Sequence, residues 1–107
     1  MTPMRFFVDT HDRSLGTFPE KMSAEEFEAF FEKYEQACYE EGVVVLRLHL
    51  SLEAGRVFCF NMAPDAEAVR RAHDRVAFPF DSITEVTTAT PGDIFFDRRE
   101  VLTGQRR

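Results

Sequence analysis

The stretch "GRVFCFNMAPDAEAVRRAHDRV", residues 55–76, decides the fold. β-Branched and aromatic residues fill "RVFCFNM" (56–62), and Pro64 ends that run because proline has no N–H to give a ladder. Asp65 then stands where a helix N-cap belongs, and Ala66, Val69, Ala72, His73 and Val76 recur behind it at helical spacing. The stretch is a strand that turns sharply into an amphipathic helix. Just upstream, "VVVLRLHL" (43–50) is a further strand, and the short reversal "SLEAG" (51–55) makes the two an antiparallel hairpin. Even positions Val44, Leu46, Leu48 and Leu50 are all apolar, while odd positions change from Val43 and Val45 to Arg47 and His49. Phe58, Phe60 and Met62 are expected to share the core face, leaving Val57, Cys59 and Asn61 on the face of Arg47 and His49.

Working outward, "RFFVDT" (5–10) reads as a first strand and "SITEV" (82–86) as a last one. Between the first strand and the hairpin lies "SAEE" (23–26), a capping box in which Glu26 reaches back to the Ser23 backbone. Phe27, Phe30, Phe31, Tyr34, Ala37 and Cys38 follow at helical spacing, and Gly42 occupies the position after the helix end. The order is β-α-β-β-α-β. It defines an α+β, ferredoxin-like fold: a four-stranded antiparallel sheet with two helices on one face, of the kind that pairs as a dimeric α+β assembly. Residues 1–86 form this domain and 87–107 a C-terminal extension. Ile94, Phe95, Phe96, Val101 and Leu102 make that extension too apolar for a free tail, so it is expected to dock on the sheet or on a partner subunit.

Composition narrows the function classes. A chain of 107 residues has room for one core, and 12 phenylalanines are more large rings than one small core readily holds, which points to a partner-covered apolar surface. A net charge of −6 speaks against nucleic acid or an anionic membrane as the main partner. The apolar runs are too short to span a bilayer. Two cysteines without a signal peptide suggest free thiols in a reducing cytoplasm.

Chemistry-bearing residues converge once they are placed on this plan. Asp9, His11, His49, Cys59 and His73 come from four elements and are expected at one end of the domain. Imidazole, thiolate and carboxylate together suit a divalent transition ion such as nickel, zinc or copper. Each residue also has a plain reading. Cys59 between two phenylalanines packs as a small hydrophobe, Cys38 belongs to the core, and His73 on its apolar stripe is a satisfied, half-buried histidine. Neither an adjacent base nor a helix start marks Cys59 as a nucleophile.

The segment "AGRVFCFNMAPDAEAVRRAHD" (54–74) resembles a family of small bacterial proteins, largely of unknown function, that includes nickel-binding members. The likeness extends loosely from "FVDTH" (7–11) through "SITEV". It implies a ferredoxin-like fold, dimeric assembly and functional roles for His11 and His73. Relatives often carry a second histidine one helical turn after the place of His73, where this chain has Ala77, and a glutamate where it has Met62.

Two functions follow. The first is a binding protein, not an enzyme, that holds nickel or another divalent metal, or a small ligand, at one end of the sheet. Asp9, His11, His49 and His73 are then the metal ligands, and Arg47, Cys59 and Asn61 contact a ligand. Its partner is a second copy, covering an open sheet face that bears Val43, Val45 and Val57. The second is a small dimeric α+β-barrel enzyme acting on an aromatic or hydrophobic molecule, with His73 as acid/base in an apolar cavity. No nucleotide-binding motif is present, so no nucleotide cofactor is expected.

Overall fold

The computed structural model describes residues 3–87; the expected docking of the extension lies outside them. The elements are β1 (Arg5–Asp12), a single 3-10 turn (Arg13–Leu15), α1 (Ala24–Glu40), β2 (Val44–Ser51), β3 (Arg56–Ala63), α2 (Ala66–Arg75) and β4 (Ser82–Val86). The strands form one antiparallel sheet in the order β2-β3-β1-β4. Both helices cover one face, so the fold is the ferredoxin-like α+β fold expected from the sequence.

Local chemistry explains where the elements start and stop. The Ser23 hydroxyl accepts from the Glu26 backbone at 3.1 Å, and the Glu26 carboxylate accepts from the Ser23 backbone at 2.9 Å, closing the capping box of α1. Gly42, at a φ of 74°, turns the chain out of α1. Asp65 caps α2 by accepting from the Ala68 N–H at 2.8 Å. The β2–β3 turn is tied to the segment after β1 by Arg13, whose guanidinium donates to the Leu52, Glu53 and Pro19 carbonyls at 2.7, 3.2 and 3.3 Å.

The sheet corrects the expected assignment of faces. Val57, Cys59, Asn61 and Ala63 of β3 are buried beneath the helices, while Phe58, Phe60 and Met62 lie on the open face. In β2 the pairing jumps from Val45↔Asn61 to Arg47↔Phe60, so Leu46 has no opposite number. This bulge inverts the alternation within the strand. Val43 and Val45 point to the core before it and Leu48 after it, while Val44 and Leu46 are left 45% and 44% exposed. Val43, Val45 and Val57 are therefore not the open face. That face instead carries Phe6 and Val8 of β1, Phe58, Phe60 and Met62 of β3, Val44 of β2 and Val86 of β4.

The core lies between helices and sheet in two clusters. One joins Phe7, Tyr34, Cys38, Val43, Val69, Ala72 and Phe78; the other joins Phe18, Phe27, Val57 and Cys59. Among these apolar side chains sit four fully buried polar ones: Asp9, His11, Asn61 and His73.

Candidate metal centre

Asp9 and His11 are two residues apart on β1, so the pleat turns both toward the helices. The strand runs to Asp12, beyond the expected end at residue 10, and so holds His11 in the sheet instead of a loop. Asn61 and Cys59 of β3 stand opposite Phe7 and Asp9 on the same face. His73 arrives from the last turns of α2, on the stripe that packs against the sheet.

The geometry of the two imidazoles is matched. His11 places Nδ1 2.6 Å from the Pro79 carbonyl oxygen and Nε2 2.8 Å from Asp9 Oδ1. His73 places Nδ1 2.8 Å from the Val69 carbonyl oxygen and Nε2 3.1 Å from the same Asp9 Oδ1. The rings are stacked with centroids 5.3 Å apart. A carbonyl oxygen only accepts, so each Nδ1 carries a proton and donates it. Each neutral ring then presents an Nε2 lone pair to a carboxylate oxygen. Two lone pairs facing one another repel. The contact becomes favourable when a second proton sits on Nε2 or when a cation lies between the three atoms. The Asn61 amide fixes the other carboxylate oxygen, donating from Nδ2 to Asp9 Oδ2 at 2.5 Å. That leaves Asn61 Oδ1, a buried acceptor with no partner among the described residues.

Electrostatics fits this reading. Burial pushes the Asp9 carboxyl up, but where His11 and His73 carry the second proton, their N–H donation and positive charge outweigh it and bring it from 3.8 down to about 2. Burial first, then the Asp9 charge, pushes the Cys59 thiol well above its usual range. The same two causes keep the Tyr34 phenol, 3.4 Å from His73 Nδ1, protonated. Cys59 is thus a packed neutral thiol beside the centre.

Asp9, His11 and His73 offer one ligand atom each within 4.8 Å of one another. His49 does not join them. It pairs with Phe58 on the open face and is exposed, as is Arg47. Cys59, expected on that outer face, lies on the inner one with His73. Ala77 lies beyond the end of α2 at a φ of 53°, so the residue four places after His73 does not continue the helix. The second imidazole comes from β1 instead. Sequence reading placed Asp9, His11 and His73 together. It missed the Pro79 and Val69 carbonyls, which leave no mark in the sequence, and the tie between Asn61 and Asp9, which a correct assignment of strand faces would have found.

An apolar cavity of about 270 Å³ lies beside the centre, walled by residues including Phe18, Phe27, Phe30 and Phe78. His73 is not among its lining residues; Phe78 stands between.

A ferredoxin-like sheet burying two imidazoles and a carboxylate on one face defines a small α+β protein with three side chains that could hold a metal ion. The chain belongs to the nickel responsive protein SCO4226-like family, whose model matches residues 7–86. Among solved structures it is similar to SCO4226 from Streptomyces coelicolor A3(2), with 24% identity and a TM-score of 0.67 over 79% of this chain and 99% of that one, a likeness that shows the fold. No curated protein matches it. No described helix is long and apolar enough to cross a membrane.

Proposed function

We propose that this protein binds a divalent transition metal, nickel first among them, through Asp9 Oδ1 and the Nε2 atoms of His11 and His73. The observation that carries the reading is the shared orientation of the two rings. Each directs Nδ1–H at a backbone carbonyl and its free nitrogen at the same carboxylate oxygen. Metal-bound histidines take this outer contact, which fixes the tautomer and turns the ligating nitrogen inward. Each nitrogen lies 2.8 or 3.1 Å from the carboxylate oxygen, close to the roughly 3.0–3.4 Å expected of neighbouring ligands on one ion with bonds of about 2.1 Å. Two imidazoles and one carboxylate are a donor set suited to nickel, zinc or copper. Asn61 Oδ1, without a partner among the described residues, belongs to the amide that orients Asp9 and would accept a hydrogen bond from a water on the ion. A bound ion here supplies neutralising charge for Asp9 and a cross-link between β1 and α2. The family's description as nickel responsive agrees with the metal chosen first.

Calorimetric titration of tag-free protein with Ni(II), Zn(II) and Cu(II) tests the reading. One ion per chain with a dissociation constant below about 10 µM is expected, and His11→Ala or His73→Ala weakens it at least 10-fold. Affinity falls toward acid pH, because an imidazole must give up its proton to coordinate. Absence of binding, or binding indifferent to both substitutions, removes the reading.

The functional unit in this reading is a homodimer joined through the open sheet face, whose Phe6, Val8, Phe58, Phe60 and Met62 form an apolar surface that a second copy covers. Two buried free thiols, Cys38 and Cys59, suit a reducing compartment such as the cytoplasm.

A further inference from the structure

The cavity beside the metal centre has features of a ligand site in its own right. It lies between the Gly16–Met22 connection, the first turns of α1 and the Ala77–Pro79 turn. Its walls are Phe18, Met22, Phe27, Phe30, Phe78 and Pro79, and none of its lining residues carries a charge. Thr17, which brings the one side-chain hydroxyl, is already engaged: it accepts from the Asp12 N–H at 2.7 Å and donates to Asp81 Oδ1 at 2.5 Å. The walls are held from outside the cavity. Arg13 donates to the Pro19 carbonyl at 3.3 Å, the Thr17 N–H donates to the Asp12 carbonyl at 3.0 Å, and Phe30 meets Phe78 edge to face at 4.8 Å. The space is formed before anything enters it, which lowers the cost of binding.

From size and lining we infer that this cavity binds a small uncharged aromatic molecule of one or two rings. A sealed apolar void of about 150 Å³ accepts benzene, and this pocket, open on one side and holding about 270 Å³, has room for a fused bicycle with one edge at its mouth. Ring walls favour an aromatic occupant through edge and face contacts. A charged molecule finds no counter-charge there. A peptide segment would bring a run of backbone N–H and C=O groups that these walls do not satisfy, whereas the single N–H of a bicycle such as indole can stay at the open mouth in contact with water. The site also adjoins the metal centre, because the Phe78 ring stacks on His11 at 3.8 Å and the Pro79 carbonyl accepts from His11 Nδ1. An occupant touching Phe78 and Pro79 is therefore sensed by the His11 ring, whereas His49 on the opposite face is not affected.

Indole is the probe, titrated into the full chain with a chelator present so that the result is independent of metal binding. Calorimetry is expected to give saturable binding with a dissociation constant between about 10 µM and 1 mM. In the proton NMR spectrum the Met22 methyl and His11 ring signals shift, while those of His49 stay in place. Met22→Trp, which fills the space, weakens indole at least 10-fold, and the milder Met22→Phe weakens it about 3-fold if the tryptophan variant does not fold. Non-saturable binding up to about 5 mM overturns the proposal. So does binding that leaves Met22 and His11 unmoved, or that ignores both substitutions. If indole binds only after Phe95→Ala and Phe96→Ala, the chain's own C-terminal segment is the occupant and the proposal also fails.

Discussion

Asp9 is a fully buried carboxylate whose environment was built to keep it charged. Burial alone would raise its pKa, yet two imidazoles lower it from 3.8 to about 2. A group depressed on folding stabilises the protein above its unfolded pKa, and that contribution disappears as pH falls through the folded value. Here the window runs from about pH 4 down to about pH 2, and the contribution is about 2 kcal/mol. Urea unfolding of metal-free protein at pH 5 and pH 2.5 should therefore show a loss about 2 kcal/mol larger in wild type than in Asp9→Asn. Equal losses would mean that Asp9 titrates normally. The two cysteines make a second residue-scale prediction. Burial raises the Cys38 thiol to about 11 and the Cys59 thiol further, so neither reacts with a thiol reagent at pH 8 until denaturant is added. Rapid labelling of the native chain would contradict this. The nearness of these residues was legible in the sequence because the β-α-β-β-α-β order brings the end of β1 and the last turns of α2 to one end of the domain. Their common use of Asp9 Oδ1 was not, because backbone carbonyls from Val69 and Pro79 orient the rings.

At the scale of elements, caps and breaks were readable and faces were not. Ser23 with Glu26, and Asp65 before α2, act through side chains of fixed reach, so residue type settles their role. The β3 faces were misread because hydropathy runs opposite to burial in this sheet. Asp9, His11 and Asn61 occupy the buried side, with His11 and Asn61 both held against the Asp9 carboxylate, while Phe58, Phe60 and Met62 remain outside. Such a conflict between local pattern and burial is expected at functional or strained sites. The bulge at Leu46 added a second inversion that no residue type announces. One element-scale prediction concerns the β2–β3 turn. Gly55 has a φ of 69°, and a Cβ there would stand 2.7 Å from atoms of the Arg13 side chain. Gly55→Ala should displace Arg13 from the Leu52 and Glu53 carbonyls and cost about 1–3 kcal/mol in urea unfolding. An unchanged midpoint would show that Arg13 does not tie the turn to β1.

At the scale of the molecule, a sheet with helices on one face leaves Phe6, Phe58 and Phe60 on the other, a face that the proposed second copy would cover. The excess of aromatic residues was legible from composition, whereas which sheet face lies open required the strand register. Light scattering of the wild-type chain is expected to give a dimer, and Phe60→Glu, which places a charge at the centre of the open face, a monomer. A wild-type monomer, or a dimer indifferent to this change, would refute the assembly. The candidate metal centre lies on the other side of the sheet, so the proposed nickel binding should survive the loss of dimerisation. Nickel K-edge X-ray absorption of the full chain carrying one equivalent of Ni(II) tests the shared ion most directly. Scattering from two imidazoles per nickel is predicted, falling to one in His73→Ala. A spectrum without imidazole scattering, or one unchanged by both His11→Ala and His73→Ala, would contradict it.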